Sequence, residues 1–184
     1  SSGGGVYIHN SSKFTMTSGE IFENSAKYGG GVYVSGGKFI MNGGSISNNT
    51  VTENGKGKGV YVVKHTNPEG IEFSPTFEIS GDASITEDND VYLAEEQKIT
   101  ITGKLTSDHV ATITPENYAE VQVLAAGDKF TLSKEQVEKF KVTQSDKFKT
   151  EITEEGYLKN TLYDAANLNA DLYEICSTIY VYSA

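Results

Sequence analysis

One pattern of hydrophobic and polar positions is written several times in the first half of the chain. Three copies contain a Val-Tyr pair, then an alternating Phe-x-Met or Phe-x-Ile, then an Ile followed three or four residues later by Asn; a fourth begins with Val-Tyr. The Val-Tyr pairs are Val6-Tyr7, Val32-Tyr33, Val60-Tyr61 and Val91-Tyr92. They lie 26, 28 and 31 residues apart. Such self-similarity at a nearly constant period predicts a repeat architecture.

The alternation inside each copy predicts β-strands. The apolar pairs Phe14/Met16, Phe39/Met41 and Phe77/Ile79 are spaced by two, which places both side chains on one face of a strand. Glycine runs such as Gly29–Gly31 punctuate the strands, as tight corners require. Because the copies translate along the chain instead of mirroring one another, they favour coils wound in parallel. The sequence therefore predicts an all-β parallel β-helix, or solenoid, in which equivalent apolar residues stack.

A column of asparagines accompanies the strands. Asn24, Asn49 and Asn89 follow Ile21, Ile46 and Ile85 in successive copies. Asn tolerates the left-handed backbone conformation and hydrogen-bonds to turn backbone, so a stacked amide ladder at one corner is predicted. A glycan acceptor or metal ligand is the alternative interpretation of the column.

The third copy is interrupted by an insertion. Phe77 follows Val60 by 17 residues, against eight and seven residues in the earlier copies. Insertions in solenoids map to loops on one face, often the binding face, which makes His65 and Asn67 candidate contact residues. An idle, tolerated insertion is the alternative.

The repeat fades after Leu93. We assign residues 1–127 to the coils, with Ile99 to Gly127 as the last one or two, and residues 128–159 to a small mixed C-terminal cap. A Ser133-x-x-Gln136 capping box predicts a short helix in that cap, and Glu154 to Gly156 predicts a turn. Residues 160–184 stay unassigned, with a helix near 162–170 and a strand near 178–182 as hypotheses.

Charge and composition exclude several classes of partner. All 15 basic residues are Lys, and the net charge is -10, so we expect no nucleic-acid binding. No apolar run reaches about 18 residues, so we expect no membrane insertion by this segment.

The single Cys176 forms no intrachain disulfide. We expect no cofactor and no catalytic residue. Glu87, Asp88 and Asp90 are a solvated acidic turn or, alternatively, ligands for one Ca²⁺.

The segments IFENSAKYGGGVYV from Ile21 and ISNNTVTENGKGKGVYV from Ile46 carry a family resemblance. They resemble the GGA[IVL]…FxxN repeats of bacterial polymorphic outer-membrane proteins, and the glycine-rich repeats of surface proteins with a pectin-lyase-like right-handed parallel β-helix. Ile21 and Ile46 stand where that family has Phe, and Gly31 stands where it has Ala. The resemblance implies a right-handed coil and a fragment of a longer exported bacterial protein, secreted or at the cell surface. It also implies adhesion to a host or cell-surface protein or glycan.

Tyr7, Tyr33, Tyr61 and Tyr92 are the remaining candidate binding residues. Each is adjacent to a Val, so the tyrosines face outward if the valines face inward. The column is either a platform for a sugar or peptide or a packing ladder beside the core. Three functions follow for the chain: a non-enzymatic adhesion or recognition module, a carbohydrate-active lyase or hydrolase, and a structural stalk spacer.

Overall fold

The computed structural model describes residues 2–145 and 148–162. Short strands wind into coils from the first repeat onward. The first coil holds β1 (Val6–His9), β2 (Lys13–Met16), β3 (Glu20–Phe22) and β4 (Ser25–Tyr28). The second holds β5 (Val32–Ser35), β6 (Lys38–Met41), β7 (Ser45–Ser47) and β8 (Thr50–Lys56). Each repeat of the sequence is therefore one turn of the structure.

The later coils contain longer segments between the strands of the stacked sheets. They comprise β9 (Val60–Val63), β10 (His65–Thr66), β11 (Glu72–Phe73), β12 (Thr76–Gly81), β13 (Ser84–Ile85), β14 (Asp90–Leu93), β15 (Ile99–Leu105), β16 (Ala111–Pro115) and β17 (Leu124–Ala126). The chain ends in α1 (Lys134–Val137), β18 (Phe140–Val142), β19 (Phe148–Ile152) and β20 (Leu158–Leu162). In the described residues, no helix has the length and hydropathy to cross a bilayer.

The coils stack through parallel sheets. One sheet has six strands in the order β1-β5-β9-β14-β16-β18, and a second has five in the order β2-β6-β12-β15-β17. A third joins β3, β7 and β13, and a fourth pairs β4 with β8. Neighbours in these sheets run parallel and come from successive coils. The predicted all-β fold is confirmed as a parallel β-solenoid of about five turns.

The core consists of the columns that the repeats predict. Val6 pairs with Val32 and Val32 with Val60, while Phe39 pairs with both Phe14 and Phe77. In the second and third coils the inward Val, Phe, Met and Ile side chains are all at most 1% exposed. Burial of these side chains stabilises the solenoid by roughly 1.5–3 kcal/mol each relative to an exposed position.

The asparagine ladder is confirmed. The Asn49 backbone N–H and Nδ2 both donate to Asn89 Oδ1, at 3.1 and 3.0 Å. The Asn24 backbone N–H and Nδ2 donate in the same way to Asn49 Oδ1, at 3.0 and 3.1 Å. A left-handed residue precedes two of the three ladder asparagines: Glu23 (φ 56) before Asn24 and Asn48 (φ 54) before Asn49. The side-chain amides therefore provide hydrogen-bond acceptors for the backbone N–H groups at this corner.

The stack extends beyond the predicted boundary at residue 127. β18 pairs in parallel with β16, and its Phe140 and Val142 are buried, so the last turn ends at Val142. Ile99, Ile101 and Ile113 of these last turns are fully buried. The physical reason for the difference is that the final coil includes α1, which interrupts the strand pattern visible in the sequence.

The predicted short helix is present, but the predicted capping box is wrong. Ser133 stands at the N-cap of α1 without a side-chain hydrogen bond to the helix. The buried Gln136 instead accepts from the Leu105 backbone N–H at 2.8 Å. Its amide thus satisfies the end of β15, because an unpaired buried N–H is costlier than an uncapped helix terminus open to water.

An antiparallel hairpin of β19 and β20 completes the described part of the cap. The predicted turn at Glu154 to Gly156 joins the two strands, with Gly156 at φ 84. The Gly156 carbonyl accepts from the Val123 and Leu124 backbone N–H groups at 2.9 and 3.1 Å, which closes the edge of β17. The hypothetical helix near 162–170 and strand near 178–182 lie outside the described residues, apart from Leu162 at the end of β20.

Candidate binding surface

The four tyrosines form one column on the outer face of the six-stranded sheet. Strand register places Tyr7 beside Tyr33, Tyr33 beside Tyr61, and Tyr61 beside Tyr92. Their neighbours Val32, Val60 and Val91 are 0% exposed, so alternation turns the tyrosines away from the core. We call this column the tyrosine ladder.

The rings of the tyrosine ladder stack on one another. Ring centroids are 5.3 Å apart for Tyr7 and Tyr33, 5.3 Å for Tyr33 and Tyr61, and 5.1 Å for Tyr61 and Tyr92. The Tyr33 and Tyr61 planes differ by only 4°. These spacings are typical of offset-stacked aromatic pairs, each contributing about 0.5–1.5 kcal/mol beyond area burial. Each ring covers part of the next, so the ladder packs internally as well as facing outward.

Exposure falls along the tyrosine ladder. Tyr7 is 52% exposed, Tyr33 and Tyr61 are half-buried, and Tyr92 is only 7% exposed. Of the two interpretations of the column, packing beside the core is the one that fits Tyr92. Burial raises the pKa of the Tyr33 phenol, and burial together with the adjacent Tyr33 raises that of Tyr61 to about 12. The inner rungs are thus neutral, partly desolvated phenols at physiological pH.

The insertion brings more rings to the exposed end of the tyrosine ladder. The Tyr7 hydroxyl lies 3.1 Å from His9 Nδ1, within hydrogen-bonding distance. The His9 ring meets the His65 ring edge-on at a centroid distance of 4.3 Å, and His65 lies 6.2 Å from Phe73. We call the tyrosine ladder together with His9, His65 and Phe73 the aromatic strip.

Gly36 fixes the hairpin of β10 and β11 on the coil below it. A Cβ at Gly36 would lie 2.5 Å from Phe73 Cβ, and its φ of +72 also favours glycine. The absence of a side chain at this corner allows Phe73 and His65 to approach the first coils. The insertion is thus an ordered hairpin that lies against the repeat.

The two candidate residues of the insertion have different positions. His65 lies in the aromatic strip through its contact with His9. Asn67 serves the hairpin turn: its Oδ1 accepts from the Ile71 backbone N–H at 2.8 Å, and its carbonyl accepts from Gly70 N–H at 2.9 Å. A binding role for either residue stays a prediction, but the geometry gives Asn67 a structural task.

A polar cluster covers the inner end of the tyrosine ladder. Lys56, at the end of β8, donates from Nζ to the Tyr92 hydroxyl at 2.6 Å and lies 3.3 Å from Glu116 Oε1. Glu116 Oε2 accepts from the Glu95 backbone N–H at 2.8 Å. The hydrogen bond from the Glu95 N–H is the main cause that lowers the pKa of the Glu116 carboxyl, and Lys56 lowers it further. The repeat pattern does not predict this cluster, because its members come from different coils and are far apart in the sequence.

A groove of about 410 Å³ runs beside this cluster. Lys58, Asp90, Thr112 and Thr114 line it together with Tyr92. At this level the outward column changes from tyrosine to threonine, since Thr114 is the register partner of Tyr92. The groove therefore combines a single ring, that of Tyr92, with threonine hydroxyls and several charged side chains.

The carboxylates of the acidic turn are occupied by protein partners. Glu87 forms an ion pair with Lys141, whose hydrogen bond and charge lower the Glu87 pKa. Asp88 accepts from the Thr86 hydroxyl at 2.5 Å and from the Asn48 backbone N–H, and the Thr86 bond lowers its pKa most. Asp90 Oδ1 accepts from the Lys58 backbone N–H at 2.7 Å. Within residues 2–145 and 148–162, no cluster of three or more His, Cys, Asp or Glu side chains is placed to hold a metal ion.

Comparisons of the chain with protein-family models, with curated proteins and with solved structures gave no match. The solenoid and the surface chemistry therefore carry the functional argument by themselves. Sequence reasoning found the tyrosine ladder and His65, whereas His9 and Phe73 were missed. The only sequence signal for those two was their aromatic character beside the first Val-Tyr pair and in the insertion.

Proposed function

We propose that this chain is a non-enzymatic adhesion or recognition module of an exported bacterial surface repeat protein. We propose further that the aromatic strip is its contact surface for a glycan or a cell-surface protein. The observation that carries the proposal is the continuity of the strip, from Tyr92 through the tyrosine ladder to the hairpin residue Phe73. Large contiguous apolar surface is uncommon on soluble proteins and is typical of binding sites, and the strip reaches solvent most fully at Tyr7, which is 52% exposed.

Rigidity of the strip supports recognition. The rings are held by a parallel sheet, by one another and by Gly36, so little conformational entropy is lost when a ligand binds. Tyr7 presents half of its surface to solvent at the end of the ladder, next to His9. A sugar ring or an extended peptide can lie against Tyr7 through apolar contact while hydroxyl groups bond along the phenol row.

The state of the carboxylates supports a binder over an enzyme. A glycosidase needs one carboxyl with a raised pKa as the general acid, facing a second carboxylate across the sugar bond. Glu87 and Asp88 of the groove, and the neighbouring Glu116, have lowered pKa values and hydrogen-bonding partners. A polysaccharide lyase or hydrolase is the second candidate, because the groove of about 410 Å³ has room for a sugar ring and is lined by carboxylates. A stalk spacer is the third, because stacked rings also stabilise a solenoid without any ligand.

A glycan array and a turnover assay separate the three functions. We expect the folded chain to retain one or more glycans on an array of plant, bacterial and mammalian saccharides. We also expect no release of product from polygalacturonate, with or without Ca²⁺. Product release would overturn the proposal in favour of an enzyme. Absence of binding to every array glycan and to cultured epithelial cells would leave the spacer function instead.

A further inference from the structure

The N-terminal end of the solenoid is less well covered than its interior. Val6 and Phe14 of the first coil are only partly buried, whereas the equivalent Val32 and Phe39 of the second coil are 0% exposed. Likewise, Met16 of the first coil is 5% exposed, whereas its equivalent in the second coil, Met41, is 0% exposed. Each column thus reaches full burial only where a coil lies on both sides.

The hydrogen bonds of the asparagine ladder have one direction. Each ladder Oδ1 accepts two bonds from the Asn of the preceding coil, as Asn89 does from Asn49 and Asn49 does from Asn24. Among the described residues, no donor reaches Asn24 Oδ1. The first coil therefore ends the ladder on an acceptor that faces the N-terminal end.

The two ends of the solenoid differ in their edges. β1, β2 and β3 are the outermost strands of their sheets and have no further strand beside them in the described part of the chain. At the opposite end, α1 is part of the last coil and the hairpin of β19 and β20 packs against that coil, with the Gly156 carbonyl closing the edge of β17. Open strand edges pair readily with another strand of compatible register.

We propose that the N-terminal end is a docking surface for one further coil of the same repeat, stacked in parallel register. The proposal rests on continuity with the interface that the second coil already makes with the first, in which Tyr33 stacks beside Tyr7; the tyrosine of an incoming coil takes the place of Tyr7 as the outermost ring of the tyrosine ladder. The incoming coil places a Val-Tyr pair over Val6 and Tyr7, a Phe over Phe14, and an Asn whose amide donates to Asn24 Oδ1.

Polarity disfavours a second copy of this chain as the occupant. Head-to-tail stacking would require the end that the β19–β20 hairpin covers. Head-to-head stacking would place Asn24 Oδ1 of each copy against the same acceptor of the other. A further coil that runs in the same direction as the existing ones meets neither obstacle, because its Asn backbone N–H and Nδ2 donate to Asn24 Oδ1 as those of Asn24 donate to Asn49 Oδ1.

A tandem duplication tests the proposal. A second copy of residues 3–28 is inserted directly before Gly3, so that its final Tyr is followed by Gly as Tyr28 is followed by Gly29. We expect the extended chain to unfold in a single transition, with a thermal midpoint at least about 4 °C above that of the original chain. We also expect the original chain to be a monomer by light scattering.

The matched control carries Asn24→Ala and Phe14→Ser in the inserted copy only. We expect this control to lose most of the rise in midpoint and to be cleaved in the inserted copy by limited proteolysis. The proposal is overturned if the intact duplicate leaves the midpoint unchanged and is cleaved as fast as the control. It is also overturned if the original chain is a dimer that the duplication dissociates, since a second copy would then be the occupant.

Discussion

Burial gives the rungs of the tyrosine ladder different acid–base behaviour from free tyrosine. Tyr61 lies between Tyr33 and Tyr92, and burial is the largest cause that raises its pKa from the ordinary 10.0 to about 12. A group whose pKa is raised by folding stabilises the fold fully below its unfolded pKa. That stabilisation is lost as the pH rises through the folded pKa, which places the loss between about pH 10 and 12.

Replacing Tyr61 with Phe should flatten this alkaline dependence. We expect the free energy of unfolding of the wild-type chain to fall more steeply between pH 10 and 12 than that of Tyr61→Phe, because Phe cannot ionise. Urea unfolding at a series of pH values measures both slopes. Tyr157→Phe is the matched control, since Tyr157 is 45% exposed and lies outside the tyrosine ladder. Equal slopes for the wild-type chain and Tyr61→Phe would contradict the assigned pKa.

The asparagine ladder makes a second prediction for single residues. Asn49 is 2% exposed and donates to the Ile21 and Ser47 carbonyls as well as to Asn89. Asn49→Ala leaves several buried backbone groups unpaired, so we expect a loss of about 2–4 kcal/mol in the free energy of unfolding. Asn24→Ala, at the open end of the ladder, should cost less. Chemical denaturation of both variants tests the order, and a larger loss at Asn24 would contradict the ladder as described.

Helix α1 is joined to the core by its two buried side chains, Gln136 and Val137, rather than through its cap. Gln136 accepts from the Leu105 backbone N–H, while Ser133 makes no side-chain bond to the helix. We therefore expect Gln136→Ala to lower the free energy of unfolding by about 1–3 kcal/mol. Ser133→Ala should change it by less than about 0.5 kcal/mol. The opposite order in denaturant titrations would reinstate the capping box.

The hairpin of β10 and β11 can be tested as an element. Residues 64–75 stand where the preceding coil has only Gly36 and Gly37 between its paired strands. Replacing the twelve residues by Gly-Gly should preserve the solenoid, with a change in stability of about 1 kcal/mol, because strand pairing on both sides is retained. Glycan binding should weaken, because His65 and Phe73 leave the aromatic strip. Loss of the β-sheet circular dichroism spectrum would instead make the insertion part of the folding core.

Sequence and structure agree most closely where the repeat is strict. The Val, Phe and Ile columns and the asparagine ladder were predictable because a constant period forces equivalent residues into register. The cluster of Lys56, Tyr92 and Glu116 was not, because its members meet across coils and no local pattern couples them. The same reason applies to Gln136, whose backbone partner lies 31 residues away.

For the whole molecule, the aromatic strip is the part of the surface that the candidate site depends on. The sequence predicted its tyrosines, but it could not predict how far each ring is buried or that Lys56 covers Tyr92. Those features concentrate the accessible aromatic surface at Tyr7 and the neighbouring hairpin. The adhesion proposal therefore depends mainly on this end of the strip.

The most direct test of the adhesion proposal compares two exposed tyrosines on the same glycan array. Tyr7 lies in the aromatic strip and is 52% exposed, and Tyr157 lies outside it and is 45% exposed. We expect Tyr7→Ala to weaken binding at least about tenfold, as removal of an aromatic anchor does, and Tyr157→Ala to change it less than about twofold. Equal binding by the two folded variants would contradict the aromatic strip as the contact surface.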